Sequence, residues 1–84
     1  MKRPDLAPPL VLYATSGCHL CEQADRVIRH AVTIPFRTVE ITDDECLLRS
    51  YGIRIPVLRR LDTGEELDWP FDVVAVRRLA LSRE

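Results

Sequence analysis

The sequence predicts an α/β domain in the order β-α-β-α-β-β-α, with a central four-stranded mixed sheet flanked by helices. Three observations lead there. Short apolar runs alternate with segments of helical periodicity, which calls for a right-handed β-α-β crossover and parallel strands at the start. A three-residue turn, Asp62-Thr63-Gly64, joins the last two runs as an antiparallel hairpin. The length of 84 residues is too short for two hydrophobic cores, so a single domain over 1–84 is expected.

The elements follow in order. Residues 1–9 hold three prolines and little periodicity, and read as an irregular lead-in. Leu10-Val11-Leu12-Tyr13-Ala14 is a nearly continuous apolar run, as expected of a strand covered on both faces, and Thr15-Ser16-Gly17 punctuates it. From His19 to Val32 the apolar residues Leu20, Ala24, Val27, Ile28 and Ala31 recur at helical spacing. Glu22 with Arg26 and Asp25 with Arg29 form i,i+4 pairs on the other side, each worth about 0.2–0.5 kcal/mol.

A second strand begins near Phe36 and runs to Ile41, rich in β-branched residues after Pro35. Thr42 with Glu45 makes a capping-box pattern for the next helix, Asp43 and Asp44 suit its positive end, and Gly52 is placed to close it in the left-handed conformation. Ile53 to Arg60 reads as a strand interrupted by Pro56, and Glu65 to Trp69 as its hairpin partner. Asp72 then caps a last helix with Val73, Val76, Leu79 and Ala80 facing inward and Arg77, Arg78 and Arg83 toward its negative end.

Composition narrows the function. Twelve Lys and Arg against thirteen Asp and Glu give a formal charge of −1, so no positive field exists to gather nucleic acid. The stretch Ala7 to Ala14 is far too short to span a bilayer. Lys2 and Arg3 are not followed by the apolar segment and small-residue cleavage site of a secretory signal. Three cysteines cannot all pair within one chain, so a reducing, cytoplasmic setting with working thiols is expected, with the protein as a monomer.

Cys18-His19-Leu20-Cys21 carries the chemistry. One helical turn brings the two thiols close enough to bridge reversibly. Cys18 falls where the helix starts, so unpaired backbone N–H groups and the positive dipole end favour its thiolate, and it is the expected nucleophile. Cys21 is the expected resolving thiol. His19, as imidazolium, would add to the stabilisation of the thiolate. Two other readings stand beside this one. A zinc or iron–sulfur site would need about four ligands, and beyond the pair there are Cys46, His19 and His30, with His30 expected on the surface. The third reading is a redox-vestigial interaction module.

Leu12-Tyr13-Ala14-Thr15-Ser16-Gly17-Cys18-His19-Leu20-Cys21 resembles the active-site entry of glutaredoxins, and Arg54-Ile55-Pro56 resembles their proline loop. The chain is similar, over Leu10 to Arg83, to the small glutaredoxin-like proteins of the thioredoxin superfamily. That resemblance implies a thioredoxin-like fold and thiol–disulfide oxidoreductase activity. It also implies a cis Ile55-Pro56 bond facing the cysteine pair, with Ile55, Pro56 and His19 meeting substrate. Protein or small-molecule disulfides would be the substrates. Glutathione or a thioredoxin-reductase-type donor would supply electrons, and no cofactor would be bound.

The chain departs from the family pattern in three places. His19-Leu20 stands where proline and tyrosine are usual, a basic residue a few positions earlier is missing, and Trp69-Pro70-Phe71-Asp72 replaces a paired glycine. These departures bear on glutathione binding and leave dithiol exchange intact. Of the remaining residues, Cys46 is expected to face away from Leu47, Leu48 and Tyr51. Trp69 and Phe71 are expected to pack the end of the sheet.

Overall fold

The computed structural model describes residues 9–81. The lead-in before Pro9 and Arg83 beyond the last helix lie outside the described residues. β1 (Leu10–Ala14), α1 (His19–Ala31), β2 (Arg37–Glu40), α2 (Glu45–Tyr51), β3 (Val57–Arg60), β4 (Glu66–Asp68) and α3 (Val73–Leu81) follow the expected order, with one 3-10 turn at Ile41–Asp43 before α2. The four strands form one sheet in the order β2-β1-β3-β4. β1 runs parallel to β2 and antiparallel to β3, and β3 runs antiparallel to β4.

The two-residue period of β1 divides the core. Leu10, Leu12 and Ala14 point to the face covered by α1 and α3, where they meet Ala24, Ile28, Val76 and Leu79. Val11 and Tyr13 point to the other face, with Ile41, Val57 and Tyr51 of α2. A strand buried on both faces is what a continuous apolar run encodes. The Tyr13 and Tyr51 rings stack at 4.3 Å between centroids.

Helix α1 buries Cys21, Ala24, Ile28 and Ala31. Leu20 was expected on that stripe but is exposed. Cys21, one step further round the helix, takes the inward position beside the sheet. Asp25 and Arg29 pair at 2.8 Å, whereas Glu22 and Arg26, though both described, form no ion pair. Val32 ends the helix by donating its N–H to Ile28 O, and Arg77 Nε reaches from α3 to Ala31 O at 3.0 Å. A cation on the last carbonyls of a helix meets both their hydrogen-bonding need and the negative dipole end.

Three expectations along the middle of the chain are corrected. Asp44, not Thr42, caps α2: its Oδ1 accepts the Cys46 and Leu47 N–H groups at 2.8 and 3.2 Å. Thr42 gives both its N–H and its hydroxyl to Glu40, which draws residues 41–43 into the 3-10 turn. Gly52 caps α2 in the right-handed conformation (φ −51°, ψ −38°), its N–H on Leu48 O at 2.8 Å. The strand expected from Ile53 starts at Val57, because Arg54 and Ile55 donate their N–H groups to Tyr51 O and Pro56 has none to give. Ile53 is fully exposed as a result, and Leu48, grouped with Leu47 and Tyr51 on one helix face, is exposed while Tyr51 is buried.

The end of the chain matches its reading. Gly64 (φ +80°) turns the hairpin in a conformation that favours glycine, donating its N–H to Arg60 O. Asp72 Oδ1 accepts the Ala75 N–H at 2.9 Å and opens α3, where Val76, Leu79 and Ala80 are buried. Trp69 and Phe71 meet edge-to-face at 5.0 Å against the α1/α3 core.

Candidate active site

β1 ends at Ala14, and the chain must then turn to enter α1. Gly17 makes the turn at φ +74°, a conformation most L residues avoid. Cys18 follows as the N-cap of α1, with extended backbone, and its Sγ accepts the Cys21 N–H at 3.1 Å. The Glu22 N–H closes the first turn on Cys18 O. The sulfur therefore occupies the place where a helix presents unpaired N–H groups and positive potential.

The two cysteines differ in access. Cys21 is 5% exposed and belongs to the α1/α3 core, while Cys18 is half-buried. Their Cα atoms are 5.2 Å apart and the pair is joined as a disulfide. That spacing falls within the roughly 4.4–6.8 Å that such bridges span. His19 opens α1 with an exposed side chain, and Leu20 beside it is 46% exposed, so the rim of the thiol pair carries one imidazole and one apolar group.

The Ile55-Pro56 bond is cis, as the proline-loop resemblance implied, and a second cis bond, Trp69-Pro70, had no counterpart in the sequence reading. Pro56 is fully buried. Ile55 packs against both cores, including the one that holds Cys21 and borders Cys18. Its N–H is taken by Tyr51 O at 3.1 Å, and among the described residues no group donates to its carbonyl.

Two groups of polar residues that sequence reasoning missed brace this region. Glu40, at the end of β2, accepts the Ser16 N–H on Oε1 at 2.9 Å, and the Thr42 N–H and hydroxyl on Oε2 at 3.2 and 2.9 Å. Hydrogen bonds from the Thr15 side chain, then from Thr42 and the Ser16 N–H, hold its carboxyl down at about 2. The second group surrounds Glu66. Its Oε2 accepts the Tyr51 hydroxyl at 2.6 Å and Arg59 at 3.0 Å, and its Oε1 accepts Arg54 at 2.7 Å. Arg54 also bonds Asp68 at 2.7 Å and lies over the Tyr51 ring. The Tyr51 hydroxyl, with the two guanidinium groups, keeps Glu66 below the usual carboxylate range. Burial, then the hydrogen bond to Glu66, pushes Tyr51 up.

The network thus pins the residue before Ile55 to β4. The signal for Glu40 lay in topology: functional loops of such sheets gather at the carboxyl ends of parallel strands. Nothing local marked the Glu66 group. Cys46 is exposed on α2, as expected. Among the described residues no three His, Cys, Asp or Glu side chains converge as a metal-binding group, and no helix is long and apolar enough to cross a membrane.

A four-stranded mixed sheet with helices on both faces, a Cys-x-x-Cys pair opening the first helix and a cis proline before the third strand define a thioredoxin-like dithiol domain. The chain belongs to the glutaredoxin-like domain family (DUF836), whose model matches residues 9–79. The X-ray structure of target protein XcR50 from X. campestris is 47% identical, covers 81% of this chain and 89% of that one, and superposes with a TM-score of 0.74. The solution structure of XcR50 gives 46% identity, coverage of 82% and 87%, and a TM-score of 0.73. The solution structure of Ne2328 from Nitrosomonas europaea is 31% identical, with coverage of 89% and 95% and a TM-score of 0.66. No curated protein matches the chain significantly.

Proposed function

We propose that the protein is a thiol–disulfide oxidoreductase that exchanges electrons through Cys18 and Cys21. The observation that carries this reading is the unequal pair: a half-buried Cys18 sulfur accepting a helix N-terminal N–H at 3.1 Å, and a buried Cys21 one turn behind it. The N–H stabilises a thiolate at the position an external disulfide can reach.

In the reduced form, the Cys18 thiolate attacks one sulfur of a substrate disulfide. A Cys18–substrate bond forms, the substrate S–S bond breaks, and the other substrate sulfur leaves as a thiolate that takes a proton from water. Cys21, deprotonated, then attacks the Cys18 sulfur. The internal disulfide forms and the second substrate thiolate departs, so two electrons pass from the pair to the substrate. Return to the dithiol requires two equivalents of a thiol such as glutathione, or a reductase of the thioredoxin-reductase class; no bound cofactor takes part. Ile55 and His19 border the approach, with buried Pro56 behind Ile55, and the Ile55 carbonyl, to which no group among the described residues donates, suits an N–H of a protein or small-molecule disulfide. The proposed place of action is the cytoplasm, with the protein acting as a monomer.

Trapping tests the reading. Cys21→Ser, mixed with a glutathione or peptide disulfide, is expected to accumulate one mixed disulfide on Cys18 by mass spectrometry, and Cys18→Ser to accumulate none at Cys21. A wild-type pair that fails to open and close reversibly in dithiol redox buffers rejects the mechanism. Retention of stoichiometric zinc or iron by the two thiols would replace it with metal binding.

A further inference from the structure

We propose that Glu40 is a positioning residue for the redox centre, setting the thiolate character of Cys18 through the Thr15-Ser16-Gly17 turn. The parallel register of β1 and β2 places Glu40 opposite Ala14, so its side chain starts where the chain leaves the sheet for the cysteine pair. The carboxylate works as a two-sided clamp. Oε1 holds the Ser16 N–H at 2.9 Å, and Oε2 is itself held by the Thr42 N–H and hydroxyl at 3.2 and 2.9 Å. The second contact fixes the side chain that makes the first.

The turn has little else to steady it. Ser16 is exposed, and a Cβ built on Gly17 would meet no atom within 4 Å, so packing does not confine the chain between the clamp and Cys18. Glycine is also the residue with the widest backbone freedom. Ser16 stands two positions before Cys18, and once the disulfide is opened the direction in which the chain enters Cys18 governs whether Sγ stays by the Cys21 N–H that it meets at 3.1 Å in the bonded pair. A carboxylate hydrogen bond is roughly twice as strong as a neutral one. The Thr15 side chain first, then Thr42 and the Ser16 N–H, hold the Glu40 carboxyl down at about 2, so the clamp persists over the whole range in which a thiol titrates.

Two effects of the carboxylate oppose each other, which makes the proposal testable. As a clamp it preserves the N–H contact and lowers the Cys18 thiol pKa. As a nearby negative charge it would raise it. His19 and Glu22, the titratable groups that follow Cys18 on α1, stay constant across the variants.

The inference rests on Cys18 acting as a thiolate, but its readout does not require a substrate. Reduced wild type, Glu40→Gln, Glu40→Ala and Thr42→Val are alkylated with iodoacetamide across pH, with the Cys18 rate resolved by mass spectrometry. The amide of Gln retains an oxygen for the Ser16 N–H; Ala retains none. Glu40→Ala is expected to raise the Cys18 thiol pKa and slow its alkylation about threefold to tenfold near neutrality, since the thiolate is the reacting form. Glu40→Gln, which keeps an acceptor for the Ser16 N–H but turns an amide N–H2 toward the Thr42 N–H, should recover part of that rate, and Thr42→Val, which loses only the hydroxyl contact, should fall between wild type and Gln.

A drop in the thiol pKa by the same amount in Gln and Ala would show that charge acts and the clamp does not. An unmoved pKa in both, with only a loss of thermal stability, would reduce Glu40 to a structural residue. Either result overturns the proposal. Failure of the wild-type pair to cycle in redox buffers would instead reject the proposed activity while leaving the alkylation comparison readable.

Discussion

Replacing Gly52 with alanine should destabilise the protein by about 1–2 kcal/mol, and asparagine there should do no better. The backbone at Gly52 (φ −51°, ψ −38°) is open to any L residue, so the substitution has no conformational penalty. Taken alone, the lost freedom of the unfolded chain would even stabilise by about 0.4–1 kcal/mol. Space decides otherwise. A Cβ on Gly52 would lie 2.5 Å from Leu48 O, the oxygen that accepts the Gly52 N–H at 2.8 Å. Relief requires the end of α2 to move, and overpacking of that kind costs about 1–3 kcal/mol. At about 4–8 °C per kcal/mol for a domain of this size, the net loss corresponds to a fall in Tm of about 5–15 °C. Urea titrations followed by far-UV circular dichroism would measure it, with an unchanged slope showing that stability alone has moved. A neutral or stabilising Gly52→Ala would refute the reasoning. So would a Gly52→Asn more stable than Gly52→Ala by about 0.5 kcal/mol, the mark of a left-handed residue at a helix end.

Three other outcomes are expected. Asp72→Ala removes the acceptor of the Ala75 N–H and should cost about 0.5–2 kcal/mol by thermal denaturation, with Asp72→Asn close to wild type. Ile28, fully buried between α1 and β1, should lose about 2–5 kcal/mol as Ile28→Ala in urea, and a smaller loss would mean that the core closes over the space. Glu40 and Glu66 both have folded pKa values below the ordinary one. Their contribution to stability is therefore complete above about pH 4.5 and lost as pH falls through the folded values, about 2 for Glu40. On this account urea midpoints should be alike at pH 7 and 5 and fall at pH 3 and again at pH 2, and a midpoint that rises on acidification below pH 5 would contradict the assignment.

What could be read from the sequence was what is encoded locally. The apolar run of β1, the 3.6-residue stripe of α1, the Gly64 turn and the Asp72 cap each depend on residues within a few positions of one another, and all four appear as expected. The cysteine pair was legible for the same reason, being one turn of one helix. The misreadings arose where a distant group outbid a local pattern. Thr42 and Glu45 make a sound capping box, but Glu40 takes the donors of Thr42, and the charged Asp44 two residues on caps the helix instead. Ile53 to Arg60 has the β-branched content of a strand, yet Tyr51 O captures the N–H groups of Arg54 and Ile55 before the ladder can begin. Leu20 fits the helical stripe of α1 by spacing, yet the inward place next to it belongs to the small Cys21, which packs against the sheet.

The supporting residues of the site were hidden by distance along the chain, though not all to the same degree. Ser16 and Glu40 are 24 positions apart, a separation no local pattern spans. The parallel pairing of β1 and β2 was nevertheless inferred from the sequence, and parallel strands joined by a crossover helix must end on the same side of the sheet. Placing Ala14 opposite Glu40 then needs the register alone. A polar residue at the end of β2 was therefore a candidate neighbour of the cysteine turn on topology. The Arg54, Glu66 and Asp68 group offers no such route. Arg54 lies outside the strands, in the turn that the sequence misassigned to β3, so its reach to β4 at 2.7 Å followed from no pairing rule. The strand ladder makes one brace of the cysteine turn derivable, and the irregular backbone before Pro56 leaves the other without a pairing rule to predict it.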